Sequence, residues 1–149
     1  MKDRLLHEDD GLRKIVAILD RGDEVMACLQ SLAERHRLTG AQLTAIGAFE
    51  SAELAFFDWE SKTYEPIPVE EQTEVASLIG DIAADADGRP SLHMHVVLGR
   101  RDGSTVAGHL QRAVVRPTLE VVVTETTTRL CRLKDEASGL ALIRPEAGR

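Results

Sequence analysis

Three histidines carry the sequence's clearest chemical pattern. His93 and His95 stand two apart in Ser91-Leu-His-Met-His-Val-Val-Leu-Gly99, and His109 follows in Gly108-His109-Leu110. A strand over 91–99 puts alternate residues on one face, so the two imidazoles project together while Leu92, Met94 and Val96 point the other way. Whether His109 joins them depends on the turn between. A two-residue loop at Asp102-Gly103 sets His109 opposite Val96, away from the pair. A three-residue loop, Arg101-Asp102-Gly103, with Gly103 left-handed, sets Arg100 opposite Ser104 and His95 opposite His109. The second register is preferred because it puts glycine where a left-handed residue is required. Three neutral imidazoles with one open position form a transition-metal site, most commonly zinc. Glu120, in Thr118-Leu-Glu-Val-Val122, is a candidate fourth ligand or a carboxylate that orients one imidazole from behind. The same spacing also fits histidines that line a polar or subunit-facing surface and bind nothing.

The elements that must position these residues read mainly as strands. Residues 1–11 read as a flexible arm, and 13–19 (RKIVAIL) as a first strand closed by Asp20-Arg-Gly-Asp23. Asp23 is the expected N-cap of a helix in which Val25, Met26, Leu29, Leu32, Ala33 and His36 recur at helical spacing, until Thr39-Gly40 ends it. His36 is expected to face the helix dipole rather than a ligand. Strands follow over 43–57, bending near Gly47, over 73–84, kinked at Gly80, and over 91–99, 105–115, 117–125 and 127–133, with a hairpin around Glu60–Thr63 and Pro117 at a start, edge or bend. One helix among many antiparallel strands makes an α+β domain. The expected organisation is a single domain over 12–134 and a partly extended C-terminal tail over 135–149.

Composition excludes several function classes. The 149 residues are 43% hydrophobic but only 3% aromatic, so the core is built from Val, Leu, Ile and Ala. A formal net charge of −7 opposes binding to a phosphate backbone. Cys28 and Cys131 lie far apart and form neither a metal pair nor a disulfide framework. The charged start, MKDRLLHEDDG, has no signal-peptide core, and no apolar run reaches the roughly 20 residues of a membrane span. A cytoplasmic protein is expected.

The segments "AIGAFESAELAFFDWESKTYEPIPV" and "VASLIGDIAADADGRPSLHMHVVLGRRDGSTVAGHLQRAVVRPTLEVVV" resemble the PPC domain, the plants-and-prokaryotes conserved domain also known as DUF296 and as PD1-like DNA-binding. The resemblance spans roughly residues 14–133, and its most specific feature is the ordered set HxH, GHL and TxEVV. It implies a bent, mostly antiparallel sheet packed against one main helix, assembling as a homotrimer. It also implies zinc at His93, His95 and His109, as in some prokaryotic members. The plant relatives' DNA contact comes largely from an AT-hook, a basic arm around Arg-Gly-Arg-Pro. Here only Gly88-Arg89-Pro90 is present, in a turn, with Asp85 and Asp87 opposing a minor-groove role. The plant segment Gly-Arg-Phe-Glu-Ile, tied to partner recruitment, reads Gln72-Thr-Glu-Val75.

Three functional classes remain. One is a metal-binding homotrimer of unknown biological role, labelled DNA-binding by family resemblance. Another is a metal-dependent small-molecule hydrolase or lyase, for which Glu120 and Glu125 are the nearby acid–base candidates, unsupported by a motif such as HExxH. The last is a ligand-sensing or structural trimer. No catalytic nucleophile and no phosphate-cradling glycine loop is present. Arg100, Arg101, Arg112, Arg116, Arg129, Arg132 and Lys134 read either as an anion-binding rim of a trimer or as ordinary solvated strand edges.

Overall fold

The computed structural model describes residues 1–147; the last two residues of the predicted C-terminal tail lie outside the described residues. Its strands are β1 (Lys2–Asp9), β2 (Leu12–Asp20), β3 (Gly40–Asp58), β4 (Thr63–Val69), β5 (Thr73–Ala84), β6 (Pro90–Gly99), β7 (Thr105–Glu125), β8 (Arg132–Lys134) and β9 (Ala141–Ile143), with one α-helix, α1 (Val25–His36). Seven strands form an antiparallel sheet in the order β1-β2-β7-β6-β5-β3-β4, and β7 also pairs with β3. That extra pairing closes a circuit through β3, β5, β6 and β7. The long β3 and β7 run side by side from Ala41↔Glu125 to Ala55↔His109 and bend at three register breaks, as strands do where extra residues interrupt the ladder.

The apolar alternation dictates which face turns inward. Met94, Val96 and Leu98 of β6 are buried, as are Leu119, Val121 and Val123 of β7 and Ile15, Ala17 and Leu19 of β2. Val25, Leu29, Leu32 and Ala33 bring one stripe of α1 onto that face. Each large side chain removed from water contributes about 1.5–3 kcal/mol, and Phe49 is the one aromatic ring among them. The opposite face of β6 carries His93 and His95.

Several expectations are corrected. Residues 2–9 form an edge strand along β2 rather than an arm without pairing. The helix cap is Glu24, not Asp23: its carboxylate accepts from the amides of Met26 (3.2 Å) and Ala27 (2.7 Å), while Asp23 accepts from Asp20 N in the preceding turn. The helix ends before Thr39-Gly40, with Arg37 left-handed and Leu38 N donating to Ala33 O at 2.9 Å. The β5 ladder runs unbroken through Gly80, and its irregularity falls between Val75 and Ser77. β7 continues across Pro117, which sits in the break between Val115 and Leu119 where no ladder bond is needed. The strand expected over 127–133 shrinks to Arg132–Lys134, paired with Ala141–Ile143. The preceding segment instead makes single backbone bonds, from Leu130 N to Thr39 O and from Ala84 N to Leu130 O.

Candidate metal centre

The β6–β7 hairpin brings the histidines together. Gly103 has φ +84°, Arg100 N donates to Ser104 O at 2.8 Å and Gly103 N donates to Arg100 O at 3.0 Å. The loop is therefore the three-residue one, and His95 pairs with His109. Ring centroids lie 5.1 Å apart for His93–His95, 5.1 Å for His93–His109 and 5.4 Å for His95–His109. One ring nitrogen from each histidine lies within 4.8 Å of the others. A tetrahedral ion with Zn–N bonds of about 2.0–2.1 Å needs its nitrogens roughly 3.3 Å apart, so small ring rotations close the set.

The electrostatics favour neutral ligands. Burial, reinforced by the two neighbouring imidazoles and by Arg132, pulls the His109 pKa down to about 4. Burial and Arg132 also lower that of His93, against the pull of Asp81. Unprotonated rings are the form that binds a metal. His109 Nδ1 is buried with no hydrogen-bond partner, an orphaned atom of the kind an ion or a water satisfies.

Glu120 is not brought to this trio. It pairs with Ile18 and Ile46, and lines a separate depression with Thr44, Ile79 and Val122. The carboxylate beside the histidines is Asp81, which sits opposite His93 in the β5–β6 ladder. Its Oδ2 lies 3.9 Å from His93 Nδ1, and its Oδ1 accepts from the Arg132 guanidinium. Tyr64 stacks on His109 with centroids 4.9 Å apart and planes tilted by 31°, and Phe57 meets Tyr64 edge-on. Sequence reading missed Asp81 and Tyr64 and took Arg132 for a surface charge. The five-residue connection Asp85–Arg89 between β5 and β6 was the one signal that fixes Asp81 against His93.

The trio faces open space on two sides. A cavity of about 510 Å³ touches His93 and His95 and is lined also by Gln42, Ile79, Asp81 and Leu130. A smaller cleft of about 200 Å³ touches His93 and His109. Three of the seven residues of the expected basic rim are paired within the fold: Arg100 with Glu71, Arg116 at 3.9 Å from Glu50, and Arg132 buried against Asp81. Gly88-Arg89-Pro90 sits in a turn in which Asp85 Oδ1 accepts from the amides of Asp87 and Arg89. No described helix is long and apolar enough to cross a membrane.

A closed, bent antiparallel sheet packed on one helix, with three outward-facing histidines, defines the class of small α+β domain to which this protein belongs. The sequence profile of the Plants and Prokaryotes Conserved domain (PCC, also written PPC) matches residues 6–127, and the chain belongs to that family. It is similar to a metal-containing protein from Archaeoglobus fulgidus, at 32% identity over 88% of this chain and 92% of that one, with a TM-score of 0.81. It is similar to a PPC protein from Pyrococcus horikoshii, at 26% identity over 96% and 94% of the two chains, TM-score 0.82. A candidate DNA-binding protein from Bacteroides thetaiotaomicron is 25% identical over 97% and 98%, TM-score 0.85. No curated protein sequence matches the chain.

Proposed function

We propose that this PPC-domain protein holds a divalent transition metal, zinc, between His93, His95 and His109, and that it assembles as a homotrimer. The observation that carries the metal reading is the convergence of three imidazole nitrogens within 4.8 Å of one another. The Archaeoglobus relative, metal-containing by name, supports it. Zinc in such a set supplies a Lewis acid that brings the pKa of bound water to about 7. Asp81 sets a negative charge beside the His93 ring, 3.9 Å from its Nδ1, and burial keeps His109 unprotonated. Elemental analysis of protein purified without chelator tests this. About one ion per chain is expected, lost in a His93→Ala/His95→Ala double variant; unchanged zinc in that variant ends the proposal.

Exposed Ile46 (61%), Ile79 (54%) and Val97 (37%) support the trimer, since they lie on the outward face of the sheet. DNA binding, carried by the names of some relatives, fits less well. The chain is acidic, and several of its arginines are already paired. Failure to bind an AT-rich duplex at low ionic strength, where electrostatic attraction is strongest, removes that reading.

The cavities flanking the histidines favour a second reading, a metal-dependent hydrolase or lyase acting on a small molecule. A hydrolase screen with and without chelator distinguishes it from a sensing or structural site. Activity that survives metal removal contradicts it.

A further inference from the structure

Among the described residues, three side-chain atoms are buried without a hydrogen-bond partner: Thr73 Oγ1, His109 Nδ1 and Arg132 Nε. The second and third belong to residues that line the same 200 Å³ cleft, whose other walls include Tyr64, Leu92, Leu140 and Leu142. Arg132 is 6% exposed. One end of its guanidinium holds Asp81, yet the fork has five N–H donors, and a buried cationic donor without an acceptor is costly. Asp81 balances the Arg132 charge and the imidazoles are neutral, so what the cleft offers an anion is the unpartnered Arg132 Nε–H and, on the metal reading, the charge of the ion beside it. Its leucines and tyrosine offer a dry wall for carbon.

We propose that this cleft binds a small organic carboxylate, one oxygen accepting from Arg132 Nε–H and the carbon chain lying against Leu92, Leu140, Leu142 and the Tyr64 ring. The volume suits a molecule of a few heavy atoms. The single available guanidinium edge and the apolar lining suit a monoanion better than a phosphate, which needs more donors. The proposal names the ligand class of the metal site, and it rests on the metal reading for the ion beside the carboxylate. Arg132 is then the residue that selects charge, and the leucines select chain length.

The probes are butyrate and its uncharged isostere butyramide, titrated into the full chain both loaded with Co²⁺ and metal-free. Binding is followed by calorimetry and amide shifts, and in the loaded protein by the cobalt absorption spectrum. Butyrate is expected to bind and to perturb the cobalt spectrum, and butyramide to do neither. Arg132→Lys keeps a cation for Asp81 but lacks the fork, and Leu142→Glu sets a carboxylate in the wall of the same cleft, where it competes with or repels the ligand's own. Each is expected to weaken butyrate binding by about tenfold or more. Butyrate that fails to bind, or that binds both variants as well as wild type, overturns the proposal. A chain that takes up no Co²⁺ defeats the metal reading alone. The carboxylate site is then decided on the metal-free protein by whether butyrate binding depends on Arg132.

Discussion

Asp81 and Gly80 show how much of the site depends on neighbours outside the histidine trio. Asp81 lies beside His93, 3.9 Å from its Nδ1, and is paired with Arg132, so its removal takes a negative charge away from the ring and leaves Arg132 buried without a counter-charge. On the proposed metal reading, Asp81→Ala is expected to weaken zinc affinity by about tenfold in a chelator competition, the low end of the range for outer carboxylates, because it neighbours the ring without hydrogen-bonding it. Gly80 lies where β6 crosses closest: a Cβ there would collide with the His93 carbonyl and come 2.6 Å from Met94 Cγ. Gly80→Ala is therefore expected to cost about 1–3 kcal/mol in denaturant unfolding, because overpacking displaces backbone rather than a flexible tip. At this scale the sequence was partly legible. The HxH spacing and the third histidine could be read, because a two-residue period fixes their side. Tyr64 could not, because its nearness depends on strands paired across the sheet, and Asp81 was legible only through the short connection between β5 and β6.

At the scale of elements, the hairpin between β6 and β7 decides whether a site exists at all. Removing Asp102 would leave a two-residue loop and shift the register by one, turning His109 to the other face relative to His95. That deletion is expected to abolish metal retention even with all three histidines present, and retention at the wild-type level would contradict the account. The parity was readable in advance because Gly103, at φ +84°, is the residue a left-handed turn position favours. The first strand was not readable. Its residues are all exposed, so no apolar alternation announces it, and what ties it down is the ladder to β2 and the pairing of Asp3 with α1. Asp3 accepts from Arg35 at 2.6 Å and meets His36 Nε2 at 2.7 Å. These partners, His36 foremost, hold its carboxyl below the ordinary value of 3.8. A carboxyl lowered in the folded state contributes stability that is complete above its unfolded pKa and disappears as pH falls through the folded value. Asp3→Asn is thus expected to remove about 1 kcal/mol or less at neutral pH. It should also flatten the loss of stability below pH 3.8, as read by unfolding midpoints across the acid range. The same dependence on tertiary contact explains the segment after β7. Its run of threonines reads as β from composition, but the structure uses it as a connection between β7 and the small β8–β9 pair.

For the whole molecule, the scarcity of aromatics has a structural reading. Four of the five rings, Phe56, Phe57, Trp59 and Tyr64, lie on or beside the β3–β4 hairpin, where Tyr64, Phe57 and Trp59 form a chain of contacts leading from His109, and Phe49 is the ring in the core among the described residues. The core is therefore almost wholly aliphatic, and three of the rings gather at the edge of the site. The outward apolar residues Ile46 and Ile79 lie on the face that also presents the histidines. On the trimer proposed above, light scattering is expected to give three chains for the wild type and one for an Ile46→Asp/Ile79→Asp double variant. A variant that stays trimeric would place the interface elsewhere. The fold class itself was legible from one helical stripe amid alternating strands. The closure of the sheet through β3 and β7 was only half legible: Gly47 and Pro117 mark bends that the register breaks bear out, but which strands pair across them is set by contacts distant in sequence.

The most direct test is anomalous diffraction above and below the zinc edge, from crystals of protein never exposed to chelator. The account predicts one peak per chain, within bonding distance of a nitrogen from each of His93, His95 and His109. Well-ordered imidazoles with no peak between them, or an ion held by other residues, would contradict it.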